Sequence, residues 1–94
     1  MRPLDTLTAA DFEPLRGDRF RIDPGDAPGF DAELVDVTEI AREPGGRAPF
    51  SLVFQGGPAP PLPQRIHRVE HAALGALEIF LVPIGPDRYE AVFT

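Results

Sequence analysis

Residues 62–93 read as three strands joined by two tight turns, and they hold the densest apolar run in the chain. Leu77, Ile79 and Leu81 alternate with Glu78, Phe80 and Val82, the period of two that sends successive side chains to opposite faces of a sheet. That stretch is apolar on one face throughout and on both faces from Ile79 to Val82, which predicts a central strand covered on both sides. Ile84-Gly-Pro-Asp87 then turns the chain, and the next strand brings Tyr89, Ala91 and Phe93 to one face. Upstream, residues 64–70 make a strand that His71-Ala-Ala-Leu-Gly75 reverses.

The first half repeats this rhythm. Arg19-Phe-Arg-Ile22 puts Phe20 and Ile22 on one face and both arginines on the other. Asp23-Pro-Gly-Asp-Ala-Pro-Gly29 is a turn-rich connection; it lacks the regular acidic spacing and closing Glu of a calcium loop. Residues 32–41 form the next strand, with Val35 and Val37 on one side and Leu34 and Ile40 on the other, a broken alternation that predicts a bulge. A loop around Gly45-Gly46 leads to a third strand on which Phe50, Leu52 and Phe54 point together, opposite Ser51, Val53 and Gln55. Ahead of all this, Thr8 opens a helix as N-cap over Asp11, and Pro14 and Gly17 limit it to about two turns, with Phe12 and Leu15 inward. The fold predicted is all-β with one short N-terminal helix: an antiparallel meander of about six strands in a small barrel or half-barrel, residues 1–94 forming a single domain.

Charge narrows the function. Fifteen acidic residues face nine basic ones, every one an arginine, for a formal charge of −6. Arg16, Arg19, Arg21, Arg65 and Arg68 all have carboxylates nearby in sequence, so the chain offers no basic face for nucleic acid or anionic lipid. No apolar run reaches the roughly 18 residues of a spanning helix. Without cysteine there is neither a disulfide frame nor a thiolate site, and the N-terminus lacks the apolar core of a signal peptide. The expected location is cytoplasmic, or exported as part of an assembly without a signal of its own. Arginine, alanine, glycine and proline in abundance, with no lysine, point to a GC-rich bacterial source.

No catalytic, cofactor-binding or metal-ligating set emerges, and no cofactor is expected. Ser51 has no Gly-x-Ser-x-Gly elbow, and neither Gly45-Gly46 nor Gly56-Gly57 precedes a helix as a phosphate loop would. His67 and His71, with Glu70, are the groups suited to acid–base work near neutral pH, but strand geometry turns His67 and Glu70 apart and His71 is expected in the turn. Glu78 and Glu90 are candidates to face each other across the last two strands, with Arg88 as an ion-pair partner for one of them. Pro60-Pro-Leu-Pro63 fits a PxxP ligand, although a stiff crossover anchored by Leu62 in the core is the simpler reading.

Phe12-x-x-Leu15-x-Gly17-x-x-Phe20, Pro49-Phe-Ser-Leu-x-Phe54-x-Gly56, Leu62-Pro-Gln, Glu70-His71, the block from Leu74 through Leu-Glu-Ile-Phe-Leu-Val-Pro-Ile-Gly-Pro86, and Tyr89-Glu-Ala-Val-Phe93 together resemble a family of short bacterial proteins classed as a domain of unknown function. The resemblance covers nearly the whole chain and implies no activity. Members are similar to proteins found alongside phage-tail-collar-type or tail-fibre-like proteins, which implies an accessory or structural part in a tail-like or surface fibre assembly. The function expected is a non-catalytic interaction module that docks on a protein partner or on copies of itself, through an open strand edge or an apolar rim. The alternative is a small-ligand barrel or enzyme using Glu70, His71 and Glu78.

Overall fold

The computed structural model describes residues 7–26, 28–39, 49–57 and 63–93. The helix α1 (Ala9–Phe12) is followed by a 3-10 turn (Glu13–Leu15). Six strands come next: β1 (Arg19–Asp23), β2 (Phe30–Glu39), β3 (Phe50–Gln55), β4 (Arg65–His71), β5 (Gly75–Gly85) and β6 (Arg88–Phe93). All pairings are antiparallel and the sheet closes into a barrel in the order β1-β2-β3-β6-β5-β4. Ile40, Ala41, the Gly45-Gly46 loop and residues 58–62 of the proline-rich crossover, including Leu62, lie outside the described residues.

Each half of the chain is a three-stranded meander, as the turn spacing predicted. The halves then join edge to edge, β3 against β6 and β1 against β4, so that the link from β3 to β4 crosses rather than turning into the neighbouring strand. Closure gives every strand two neighbours. The open edge expected at the end of the chain is therefore absent: β6 lies between β3 and β5.

The alternations place the core correctly. Phe20, Ile22, Ala32, Leu34, Phe50, Leu52, Phe54, Val69, Leu77, Ile79, Leu81, Tyr89 and Ala91 fill the interior. The predicted break in β2 is a bulge between Leu34 and Asp36, after which Val37 instead of an even-numbered residue packs against the core. The strand begins at Phe30, two residues earlier than expected. One expectation fails at β5: Phe80 is 48% exposed, so the strand is covered on its inner face only. A six-stranded barrel has a single interior, and an apolar outer face finds no second layer.

The short helix closes one mouth. Asp11 N–H donates to the Thr8 carbonyl at 3.0 Å, and the Asp11 carboxylate reaches back to accept from the Thr8 N–H at 2.7 Å and its hydroxyl at 3.2 Å. Pro14 suits the 3-10 turn but not a longer α-helix, and Gly17 leaves it with φ of +88°. Phe12 is thereby set 5.8 Å from the rings of both Phe50 and Phe93, which stack on each other at 4.6 Å across the β3–β6 seam. Three aromatic rings seal this end.

Candidate functional site

The two histidines are both on β4, and alternation turns both toward the inner side of the wall. Four residues of extended strand hold them about 13 Å apart. His67 is 2% exposed; its Nε2 lies 3.2 Å from the Pro63 carbonyl, and among the described residues its Nδ1 is buried with no partner. His71 is the last residue of β4, paired with Gly75, rather than part of the turn. Its Nδ1 accepts from the Ala73 N–H at 2.9 Å, which leaves the proton on Nε2 to be donated to Asp18 at 2.9 Å. The ring also lies 4.6 Å from that of Phe20. Both nitrogens are occupied in tying the β4–β5 turn to the start of β1.

Glu70 does not join the imidazole. Its carboxylate accepts from the Arg68 Nε at 2.7 Å, and this hydrogen bond, followed by the charge of Glu70, raises the pKa of the guanidinium. Arg68, Glu70 and His71 border a shallow basin of about 550 Å³ on the outside of the β1–β4 seam, together with Arg19, Arg21 and Asp31. Arg21 and Asp31 approach to 3.7 Å. The basin mixes both signs of charge. Glu78 and Glu90, expected to face each other, are apart: Glu78 sits opposite Arg68 on β4, whereas Glu90 sits opposite Val82. Arg88 lies opposite Gly85 and Gln55. Among the described residues no group of three His, Cys, Asp or Glu side chains is placed to hold a metal ion.

The large exposed apolar side chains gather on the outer wall of β4, β5 and β6. Ile66, Phe80, Ile84 and Val92 are 61%, 48%, 49% and 53% exposed. Ile66 is directly opposite Phe80. On β6 the exposed Val92 lies past the last register pair with β5, Val82 with Glu90, so exposed apolar side chains occur on three adjoining strands. Val82 of β5 and Val53 of β3 are half-buried on either side of Glu90. Charged residues border these side chains: Arg68 and Glu78 on one side, Glu90 and Arg88 on the other.

Sequence reasoning saw these side chains but assigned Phe80 and Val82 to a covered face. The signal was present in the second face of β5 itself, since a barrel this small has nowhere to bury it.

No helix among the described residues is long and apolar enough to cross a membrane. A family model described as Domain of unknown function (DUF6916) matches residues 7–93. No curated protein and no solved structure matches the chain.

Proposed function

The chain belongs to the DUF6916 family, and from that premise we propose that it is a non-catalytic protein-interaction or structural accessory module that docks through the outer wall of β4, β5 and β6. The family brings no activity with it, so the reading rests on the barrel's own surface. The observation that carries it is the cross-strand pair Ile66–Phe80 together with Val92 on β6, three large apolar side chains about half exposed on adjoining strands. Contiguous apolar patches rimmed by charge mark contact surfaces, because covering them removes apolar area from water while the rim stays solvated.

Closure changes the mode of contact. With no free edge, strand addition is not available to a partner, and side chains on the wall make the contact instead. The partner is another protein chain, a second copy included. An accessory place in a tail-like or surface fibre assembly is the context we propose for it, on the sequence resemblance alone.

The test is light scattering during size exclusion over rising concentration, together with co-purification with the products of neighbouring genes. Wild type is expected to self-associate or to hold a neighbouring product. The double variant Ile66→Arg, Phe80→Glu should weaken that association at least about tenfold, as loss of an aromatic anchor does. A strict monomer that holds no neighbouring product, or a double variant that associates as wild type does, overturns the reading.

A further inference from the structure

The first two strands of each half correspond at one offset, while the β5–β6 register runs two residues out of step with the image of β2–β3. Adding 47 to the β1–β2 register pairs Arg19/Glu33, Phe20/Ala32, Arg21/Asp31 and Ile22/Phe30 gives Ile66/Phe80, His67/Ile79, Arg68/Glu78 and Val69/Leu77, which are the register pairs of β4 and β5. One constant offset carries every β1–β2 pair onto a β4–β5 pair; the second hairpin pairs further toward its turn, at Glu70 with Ala76 and His71 with Gly75, so its connection is three residues long where the first is six.

The chemistry follows the same offset. Arg21-Ile-Asp23 corresponds to Arg68-Val-Glu70, and Phe30-Asp-Ala-x-Leu34-Val35 corresponds to Leu77-Glu-Ile-x-Leu81-Val82. Inward positions fall on inward positions: Phe20, Ile22, Ala32 and Leu34 on His67, Val69, Ile79 and Leu81, all buried.

The seam between the halves obeys the symmetry that such an arrangement requires. Arg21 lies opposite Glu70 and Asp23 opposite Arg68, and each of these pairs is the other's image under the exchange of halves. Ile22 lies opposite Val69 and is its own image, which places a local two-fold axis at that pair. The third strands correspond as Phe50-Ser-Leu-Val-Phe54 to Tyr89-Glu-Ala-Val-Phe93, and they close the opposite seam with Leu52 facing Ala91. Their offset is 39 residues, smaller because ten residues separate β2 from β3 and two separate β5 from β6. The bulge lies before the third strand in both halves, at Val35 of β2 and at Ile84 of β5, two residues beyond the image of Val35.

We infer that the barrel is an internally duplicated pseudo-dimer: two copies of one three-stranded unit, joined across β1 and β4 as the subunits of a two-fold dimer would be. The copies have diverged on the outside. Where the first carries the exposed pair Arg19 and Glu33, the second carries Ile66 and Phe80. The fold therefore accepts a charged pair at that position, and packing does not require the apolar one.

The test transposes hairpins within the full-length chain. Residues 19–35 are exchanged with residues 66–82, and a control exchanges residues 19–35 with residues 68–84, which preserves length and alternation but breaks the 47-residue correspondence. Circular dichroism and thermal melting give the readout. The matched exchange is expected to keep the sheet spectrum and a cooperative transition within about 10 °C of the parent, while the control loses cooperativity. A matched exchange that does not fold, or a control that melts as well as the matched one, overturns the inference. The double variant Ile66→Arg, Phe80→Glu should in addition melt within about 5 °C of the parent. Its unfolding would contradict the equivalence, whereas persistence of association in a folded variant would count only against the proposed docking wall.

Discussion

Asp26 and Arg65 show how a single side chain fixes a loop to this barrel. The Arg65 guanidinium donates to the Asp26 carboxylate at 2.5 Å and to the Pro24 carbonyl at 3.1 Å, clamping the β1–β2 connection onto the start of β4. The hydrogen bond from Arg65 holds the Asp26 carboxyl below the ordinary carboxylate range. A lowered folded-state pKa contributes stability that is fully present above the unfolded value and is lost as pH falls through the folded one. Asp26→Asn should therefore melt lower than the parent near neutral pH, and the difference should shrink as pH falls below the normal Asp value; melting curves across pH check this. The pairing of arginine with carboxylate was legible in the composition, and Arg16 with Glu13 at 2.9 Å is another instance. That Arg65 reaches across 39 residues to Asp26 was not, because sequence distance says nothing about which strands become neighbours. His71 was similarly legible as a residue of interest, but its two bonds, to Ala73 and Asp18, depend on a strand ending one residue later than the turn signal suggested.

At the level of elements, period-two alternation was enough to locate all six strands and to give the inner faces of β1, β3 and β6, but not to separate the inner from the outer face of β5. The bulge in β2 was readable too, since Leu34 and Val37 cannot share a face without an extra residue between them. The neighbour of each strand was not readable beyond the hairpins, because pairings such as β3 with β6 are made between segments with no turn to connect them. Gly56, just past β3, sits where such a connection is tight. Its φ is +143°, its N–H donates to the Asp87 carbonyl at 2.7 Å, and a Cβ there would lie 2.8 Å from the Asp31 carbonyl oxygen. Backbone strain and a backbone clash coincide, and neither is relieved by moving a side chain. Gly56→Ala should destabilise the fold by roughly 1–3 kcal/mol, measured by urea unfolding. The glycine pair was visible in the sequence, but how close the neighbouring strand would come was not.

Across the whole molecule, the fold depends on sealing both the wall and the mouth. Phe12 is fully buried against Phe50 and Phe93, the residues that end the β3–β6 seam. Phe12→Ala should lower unfolding free energy by about 3–5 kcal/mol, because it removes a large buried ring and leaves a cavity at the helix-capped mouth; denaturant unfolding with the parent as reference checks this. The sequence placed Phe12 on the core side of a short helix, but the rings it meets come from strands far apart in the chain. The crossed order of strands has a kinetic consequence. Both closing seams join residues more than thirty positions apart, Arg21 with Glu70 and Gln55 with Arg88 among them, so local hairpins form early while loop-closure entropy delays the barrel. During synthesis β3 has to wait for β6, its only partner on that side, and until the sixth strand emerges from the ribosome the nascent sheet carries a raw border that chaperones or a neighbouring chain can occupy.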